Sequence, residues 1–183
     1  MPGAQAAKTV LDFWFGMLRP AQWWKADPAL DAAIAERFGL MHAQAAAGEL
    51  WGWRVSAAGR LAELVLLDQF SRNIHRGTAR AFACDPMALA LAQEAVAGGH
   101  DAALPPAQRA FVYLPYMHSE SLRIHEQALR LFAQPGLEDN LRAEHRHRDV
   151  LLRFGRYPHR NAVLGRASTP AEVEFLAQPG SGF

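Results

Sequence analysis

Between one glycine or proline stop and the next, this chain repeats its apolar residues every three or four positions, the spacing of one face of an α-helix. Leu30, Ile34, Phe38 and Met41 are the plainest run. No period-two alternation bounded by turn residues lasts long enough to make a strand. An all-α fold follows, and the start and stop signals divide it. Asp27-Pro28 and Asp85-Pro86 each pair an N-cap with proline in the first turn. Thr9 with Asp12 predicts a capping-box start for a helix over 10–15. Ser56 caps the next helix, whose Leu61, Leu64, Val65, Leu66, Leu67 and Phe70 are apolar on several faces, so it should be central and buried. Gly48 and Gly98-Gly99 act as stops. Pro105-Pro106 opens a helix through Tyr113, which Pro115 must kink or break. The pattern resumes over 119–132, closes at Pro135-Gly136, and runs again from Glu138 to Phe154 before Gly155. Thr169-Pro170-Ala171-Glu172 is a capping box for a last short helix to Ala177. The sum is about seven or eight helices, antiparallel where connections are short. Residues 1–178 are expected to form a single helical domain and 179–183 a fraying tail.

The 183 residues suit one domain, and half of them are apolar against a fifth charged, which excludes a disordered tail protein. The longest near-apolar run, 61–67, contains Glu63, so no membrane span is expected. The first eighteen residues carry Lys8 and Asp12 and do not make a signal peptide. One cysteine, Cys84, excludes an intrachain disulfide and every multi-cysteine zinc pattern; it reads as a small packing residue. A reducing cytoplasm is the expected compartment.

Net charge is +1, but seven arginines fall within 142–166 against Glu144 and Asp149, and the chain has only Lys8 and Lys25 as lysines. That imbalance fits either a GC-rich genome or bidentate anion binding. Trp14, Trp23, Trp24, Trp51 and Trp53 all lie in the first third. They read as an aromatic core clamp rather than a stacking platform for nucleic acid, because the arginines are elsewhere.

Four groups of residues can carry chemistry. Asp68 and Arg72, four apart, share a helix face that continues an inward stripe. A charged pair there is either a buried strut or one wall of a polar pocket. His118 and Glu120 follow the Pro115 kink and are acid–base types, yet on a regular helix residues two apart do not face each other. His147 is in step with Val150, Leu151 and Phe154 and should face the core. His159, Arg160 and Asn161, in the segment FGRYPHRN, concentrate donors in a turn held by Pro158 that suits a carboxylate or phosphate. His118, His147 and His159 with Asp68 or Glu120 could ligate a metal, but no spacing demands it, so neither metal nor cofactor is assigned. A faint internal similarity links Phe70-Ser71-Arg72-Asn73…Arg76-Gly77 to Tyr157-Pro158-His159-Arg160-Asn161…Gly165-Arg166.

The blocks VLDFWFG (10–16), WW (23–24), LLDQFSRNIHRGTARAFACD (66–85), YLPYMHSE (113–120) and FGRYPHRNAVLGRAST (154–169) occur in order. Together they resemble the mainly bacterial domain-of-unknown-function family 924 over nearly the whole chain. The family pattern usually has proline where Ser71 stands and phenylalanine where Tyr116 stands; neither departure removes a charged residue. The resemblance implies a tetratricopeptide-like all-helical fold and brings no activity with it. The leading expectation is a polar pocket. Arg72, Asn73, Arg76, Arg160 and Asn161, with Asp68 and His159, would hold a small anionic or amide-bearing molecule. His118 or Glu120 would be the proton-transfer group, hydrolysis being the plainest reaction. The rivals are a peptide-binding adaptor and, less favoured, RNA binding through the arginines of 142–166. The tryptophan-rich third could equally cover a homodimer interface.

Overall fold

The computed structural model of the chain describes residues 2–182. Met1, where the expected domain begins, and Phe183, the end of the expected tail, lie outside the described residues. Within them there is no strand. Helix α1 (Pro2–Leu11) runs into a π turn (Asp12–Met17), followed by α2 (Pro20–Trp23) and α3 (Pro28–Ala46). Helix α4 (Ala57–Leu64) passes through a second π turn (Val65–Phe70) into α5 (Ser71–Ile74). Then come α6 (Asp85–Ala97), α7 (Pro106–Met117), α8 (Leu122–Phe132), α9 (Glu138–Phe154) and α10 (Pro170–Leu176). Short 3-10 turns at Trp51–Val55, Ala79–Phe82, Asp101–Ala103 and Pro158–Arg160 lie in the connections.

Several boundaries are where local chemistry puts them. Asp27 accepts from the amides of Ala29 and Leu30, Ser56 from that of Gly59, and Thr169 and Glu172 close a reciprocal capping box. Gly48, Gly99, Gly136 and Gly155 take positive φ just past helix ends. Three expectations are corrected. Thr9 does not start a helix: α1 begins seven residues earlier, and the Thr9 hydroxyl donates back to the Gln5 carbonyl. Pro115 does not end α7, which continues to Met117 because every residue from Ala110 onward is buried and tertiary packing outweighs one missing amide. Asp85 is not an N-cap; Cys84 holds that position without a side-chain bond, and the Asp85 carboxylate points elsewhere.

The rod formed by α4, its π turn and α5 is the axis of the molecule. Every residue from Leu61 to Ser71 is buried, since α1, α3, α6 and α7 all pack on it. Each fully buried leucine or phenylalanine here contributes on the order of 2 kcal/mol. Gly59 is required where α4 meets the Trp51–Val55 turn: a Cβ there would lie 2.0 Å from the Trp53 carbonyl oxygen. Phe13, Trp14, Phe38, Phe70 and Phe111 meet edge-on or tilted in the same core. The expected aromatic clamp is therefore partly right. Trp14 and Trp53 are buried and Trp23 is half-buried, but Trp24 and Trp51 are exposed. A smaller cluster of Val150, Leu151 and Tyr157, with Phe154 and Phe175, packs the C-terminal turn and α10 onto α9. Beyond α10 the Ser181 hydroxyl donates to the Leu176 carbonyl. No helix among the described residues is long and apolar enough to cross a membrane.

Candidate functional site

The π turn of the central rod builds the site. A π turn widens the helix by one residue and leaves carbonyls off the regular ladder. Here the Leu67 carbonyl accepts from the Ser71 hydroxyl at 2.6 Å, and the Asp68 carbonyl accepts from Arg72 Nη1 at 2.8 Å. Asp68 lies in this turn with its side chain sealed from solvent. Its Oδ1 accepts from His118 Nδ1 at 2.6 Å and faces Arg72 Nη1 at 3.3 Å, while Oδ2 accepts from Gln69 Nε2. Burial alone would raise the Asp68 carboxyl, but the Arg72 charge, His118 and the two side-chain hydrogen bonds overrule it and hold it well below the usual carboxylate range. The carboxylate is therefore ionised, and the proton shared with His118 belongs to Nδ1. His118 Nε2 has no hydrogen-bond partner among the described residues. Burial, then the Arg72 charge, push the His118 imidazole down, against an upward pull from Asp68.

Arg72 continues past Asp68 to a bidentate pair with Asp85, at 2.8 and 3.0 Å. Arg160 reaches the same carboxylate, Nη1 to Oδ2 at 3.4 Å, and its Nη2 donates to the His118 carbonyl at 2.9 Å. Both guanidiniums stand against the Phe82 ring, Arg72 at 5.5 Å and Arg160 at 4.6 Å, and Arg160 also lies over Tyr157 at 4.7 Å. Arg160 Nε is buried and has no hydrogen-bond partner among the described residues. Burial and the neighbouring Arg72 charge lower the Arg160 guanidinium, so it is the strained cation of the pair. The two arginines belong to the two halves of the faint internal similarity, and they meet on one aspartate and one ring.

Glu120 faces away from this centre. Its carboxylate accepts from the Tyr157 amide at 2.8 Å and from both terminal nitrogens of Arg166, at 2.7 and 2.9 Å. Arg166 Nε donates to Asn161 Oδ1 at 3.0 Å, and Asn161 Nδ2 to the Ser168 hydroxyl. Burial would raise Glu120, but Arg166 and the Tyr157 amide bring it below its ordinary value. His159 is pushed down to about 4 by burial and then by Arg160. Asn73 and Arg76 serve a third place: both bond Asp31 on α3, Arg76 in bidentate fashion at 2.6 and 2.9 Å. The structure thus brings Asp68, Arg72, His118 and Arg160 into one network. It ties Glu120 and Asn161 to that network through Tyr157 and Arg166. It directs Asn73 and Arg76 to Asp31. His118 and Glu120 lie past the end of α7 on irregular backbone, and they still face different partners. No group of three or more His, Cys, Asp or Glu side chains among the described residues is arranged to hold a metal ion.

Asp85, Phe82, Tyr157 and Arg166 belong to the site and were not assigned to it from sequence. Neither were His125 and Glu144, both fully buried and joined at 2.6 Å. Their signal was present: His125 is in step with Ala128 and Phe132, and Glu144 with His147 and Leu151, so helical period alone places both inward.

The architecture is that of an all-helical protein built round a largely buried, charge-balanced arginine–aspartate–histidine centre. The chain belongs to the family described as "Bacterial protein of unknown function (DUF924)", whose profile matches residues 10–180. A solved structure of a protein of unknown function from Agrobacterium tumefaciens, ATU0120, is 41% identical. It superposes with a TM-score of 0.91 over 95% of this chain and 98% of that one. No curated protein matches the chain.

Proposed function

We propose that the chain binds a small anionic or amide-bearing molecule at the His118 centre, with His118 as the group that moves a proton. One observation carries the reading: a buried, ionised aspartate holds His118 Nδ1–H, and Nε2 has no partner among the described residues. This is the arrangement by which a carboxylate orients an imidazole as a general base. An imidazole held below its ordinary value is neutral near pH 7 and can take a proton from water attacking a carbonyl or phosphoryl centre. Arg160 is the residue best placed to meet the ligand's negative charge, because it reaches Asp85 only at 3.4 Å while Arg72 is consumed by Asp68 and Asp85. Glu120, bound to Arg166, supports the turn that carries Arg160 rather than moving protons. We place the protein in the cytoplasm. We also read the successive packing of α6, α7, α8 and α9 as a tetratricopeptide-like right-handed array.

The test is native against denaturing mass spectrometry of freshly purified protein. The expected result is an added mass lost on denaturation, reduced in Arg160→Lys and in His118→Asn. A native mass equal to the bare chain, with no hydrolysis of a panel of carboxylic and phosphoric esters and amides, overturns the reading. One observation favours a second reading, a peptide-binding adaptor. An open concavity of about 440 Å³ lies between α9 and α10, lined by Arg153, Phe154, Arg156, Thr169, Ala171 and Glu172, none of which belongs to the Asp68 network.

A further inference from the structure

Three successive carbonyls, at the C-terminal end of α7 and just past it, are each taken by a side chain from another part of the chain. Tyr157 Oη donates to the Met117 carbonyl at 2.6 Å, Arg160 Nη2 to that of His118, and His125 Nε2 to that of Ser119 at 2.8 Å. A helix end leaves its last carbonyls without intrahelical partners and carries partial negative charge, so donors here both satisfy and fix it. The Tyr157 oxygen also lies 3.2 Å from His125 Nε2, which makes the two residues one unit spanning His118 on either side.

The unit is anchored by Glu144. A carbonyl only accepts, so His125 Nε2 must carry a hydrogen. Its Nδ1 then shares a single further proton with Glu144 Oε1 at 2.6 Å. The other carboxyl oxygen, Oε2, is buried without a partner, an arrangement that penalises a full carboxylate more than a neutral acid. Burial raises the Glu144 carboxyl, consistent with the proton residing on this pair. His145 and Arg148 on α9 are the other charged or titratable groups whose fields act on it, and its own charge is felt by Tyr157.

We infer that Glu144, His125 and Tyr157 are positioning residues: together they hold the Met117–Ser119 backbone so that His118 presents Nδ1 to Asp68 and Nε2 outward. The catalytic meaning of that position rests on the functional reading above; the position itself does not. Neutral imidazole in water favours the Nε2–H form, so an Nδ1–H tautomer at His118 is a signature of the imposed geometry. A Glu144 variant that only weakened the fold would leave that signature intact in its folded fraction.

The experiment is a pH titration of ¹⁵N,¹³C-histidine-labelled full chain, read by NMR at His118 without added ligand. In Glu144→Leu the Nδ1–H tautomer fraction should fall. The His118 midpoint should drop by about one unit, as the hydrogen bond to Asp68 lengthens. Glu144→Gln, which can still bond His125 Nδ1, should restore the wild-type behaviour. If Glu144→Leu does not fold, Tyr157→Phe removes the Met117 bond and the contact with His125 Nε2, leaves the Glu144–His125 pair in place, and should give a smaller change in the same direction. An unchanged His118 tautomer and midpoint in a folded Glu144→Leu, or in Tyr157→Phe where Leu does not fold, overturns the inference. A shifted tautomer in a protein that carries no ligand and hydrolyses nothing overturns the functional reading and leaves this one standing.

Discussion

Asp85 shows how one side chain can be misassigned by a motif and then explained by charge. Asp-Pro at a helix start is a strong N-cap signal, and at Asp27 the reading holds. At Asp85 the cap position is one residue earlier, and the carboxylate instead neutralises two guanidiniums that would otherwise repel each other across Phe82. The two roles differ in size. Losing a cap costs about 1 kcal/mol. Removing one partner from a buried charge network costs about 3 kcal/mol or more, because the remaining charges stay buried. Asp85→Ala should therefore lower unfolding free energy by the larger amount in urea titration. The double variant Asp85→Ala, Arg160→Met, which removes the cation paired with Asp85 and leaves Arg72 on Asp68, should recover part of the loss. A loss near 1 kcal/mol with no recovery would mean that the carboxylate acts only as a cap.

At the level of elements, the signals that can be read from sequence are local ones. Ser56, Asp27 and the Thr169–Glu172 box work through atoms two or three residues away, so their positions were legible. The π turn at Val65–Phe70 was not, because nothing local distinguishes it from α-helix. It is stabilised by Ser71 and Arg72 taking freed carbonyls and by Asp68 finding His118 fifty residues on. The same division holds within the candidate site. Residue types and helix faces marked Asp68, Arg72, His118 and Arg160, whereas their pairing through Asp85 depends on tertiary placement. Glu172 joins both kinds of bond: it closes its own capping box and takes Arg156 in a bidentate pair. Helix α10 otherwise rests on the small cluster around Phe154 and Phe175 and on the Pro158–Arg160 turn. In Glu172→Ala, trypsin should cut rapidly after Arg156 or Arg166, while the main urea transition moves by about 1 kcal/mol or less, since the central rod is untouched. Simultaneous loss of the whole cooperative transition would show that α10 is part of the main folding unit.

Over the whole molecule, charge is arranged for internal balance. Of the seven arginines in 142–166, Arg156, Arg160 and Arg166 are engaged by Glu172, Asp85 and Glu120, and Arg142 pairs with Asp139. The same burial that seals these pairs also keeps several histidines neutral, which fixes how stability responds to acid. Burial is the leading cause in each case: it brings His159 down to about 4 and His147 down to about 3. In the unfolded chain both take a proton near pH 6.5. Between that value and their folded values the unfolded state binds more protons, so stability falls as pH falls. The two together amount to a loss on the order of 6 kcal/mol by pH 4. Asp31, Asp68, Glu120 and Glu172 are held below their ordinary values, Glu172 at about 2. They extend the loss below about pH 4.5, where the unfolded chain begins to protonate its carboxyls. Glu144 runs the other way: its raised carboxyl keeps a proton in the folded state and offsets part of the slope. Urea midpoints measured from pH 7.5 to 4 should therefore decline from about pH 6.5 downward, before the carboxylates of the unfolded chain titrate. His159→Gln should flatten the upper part of that decline and leave the part below pH 4.5 in place. A midpoint constant between pH 7 and 5 would mean that these imidazoles are solvated and protonate freely in the folded protein.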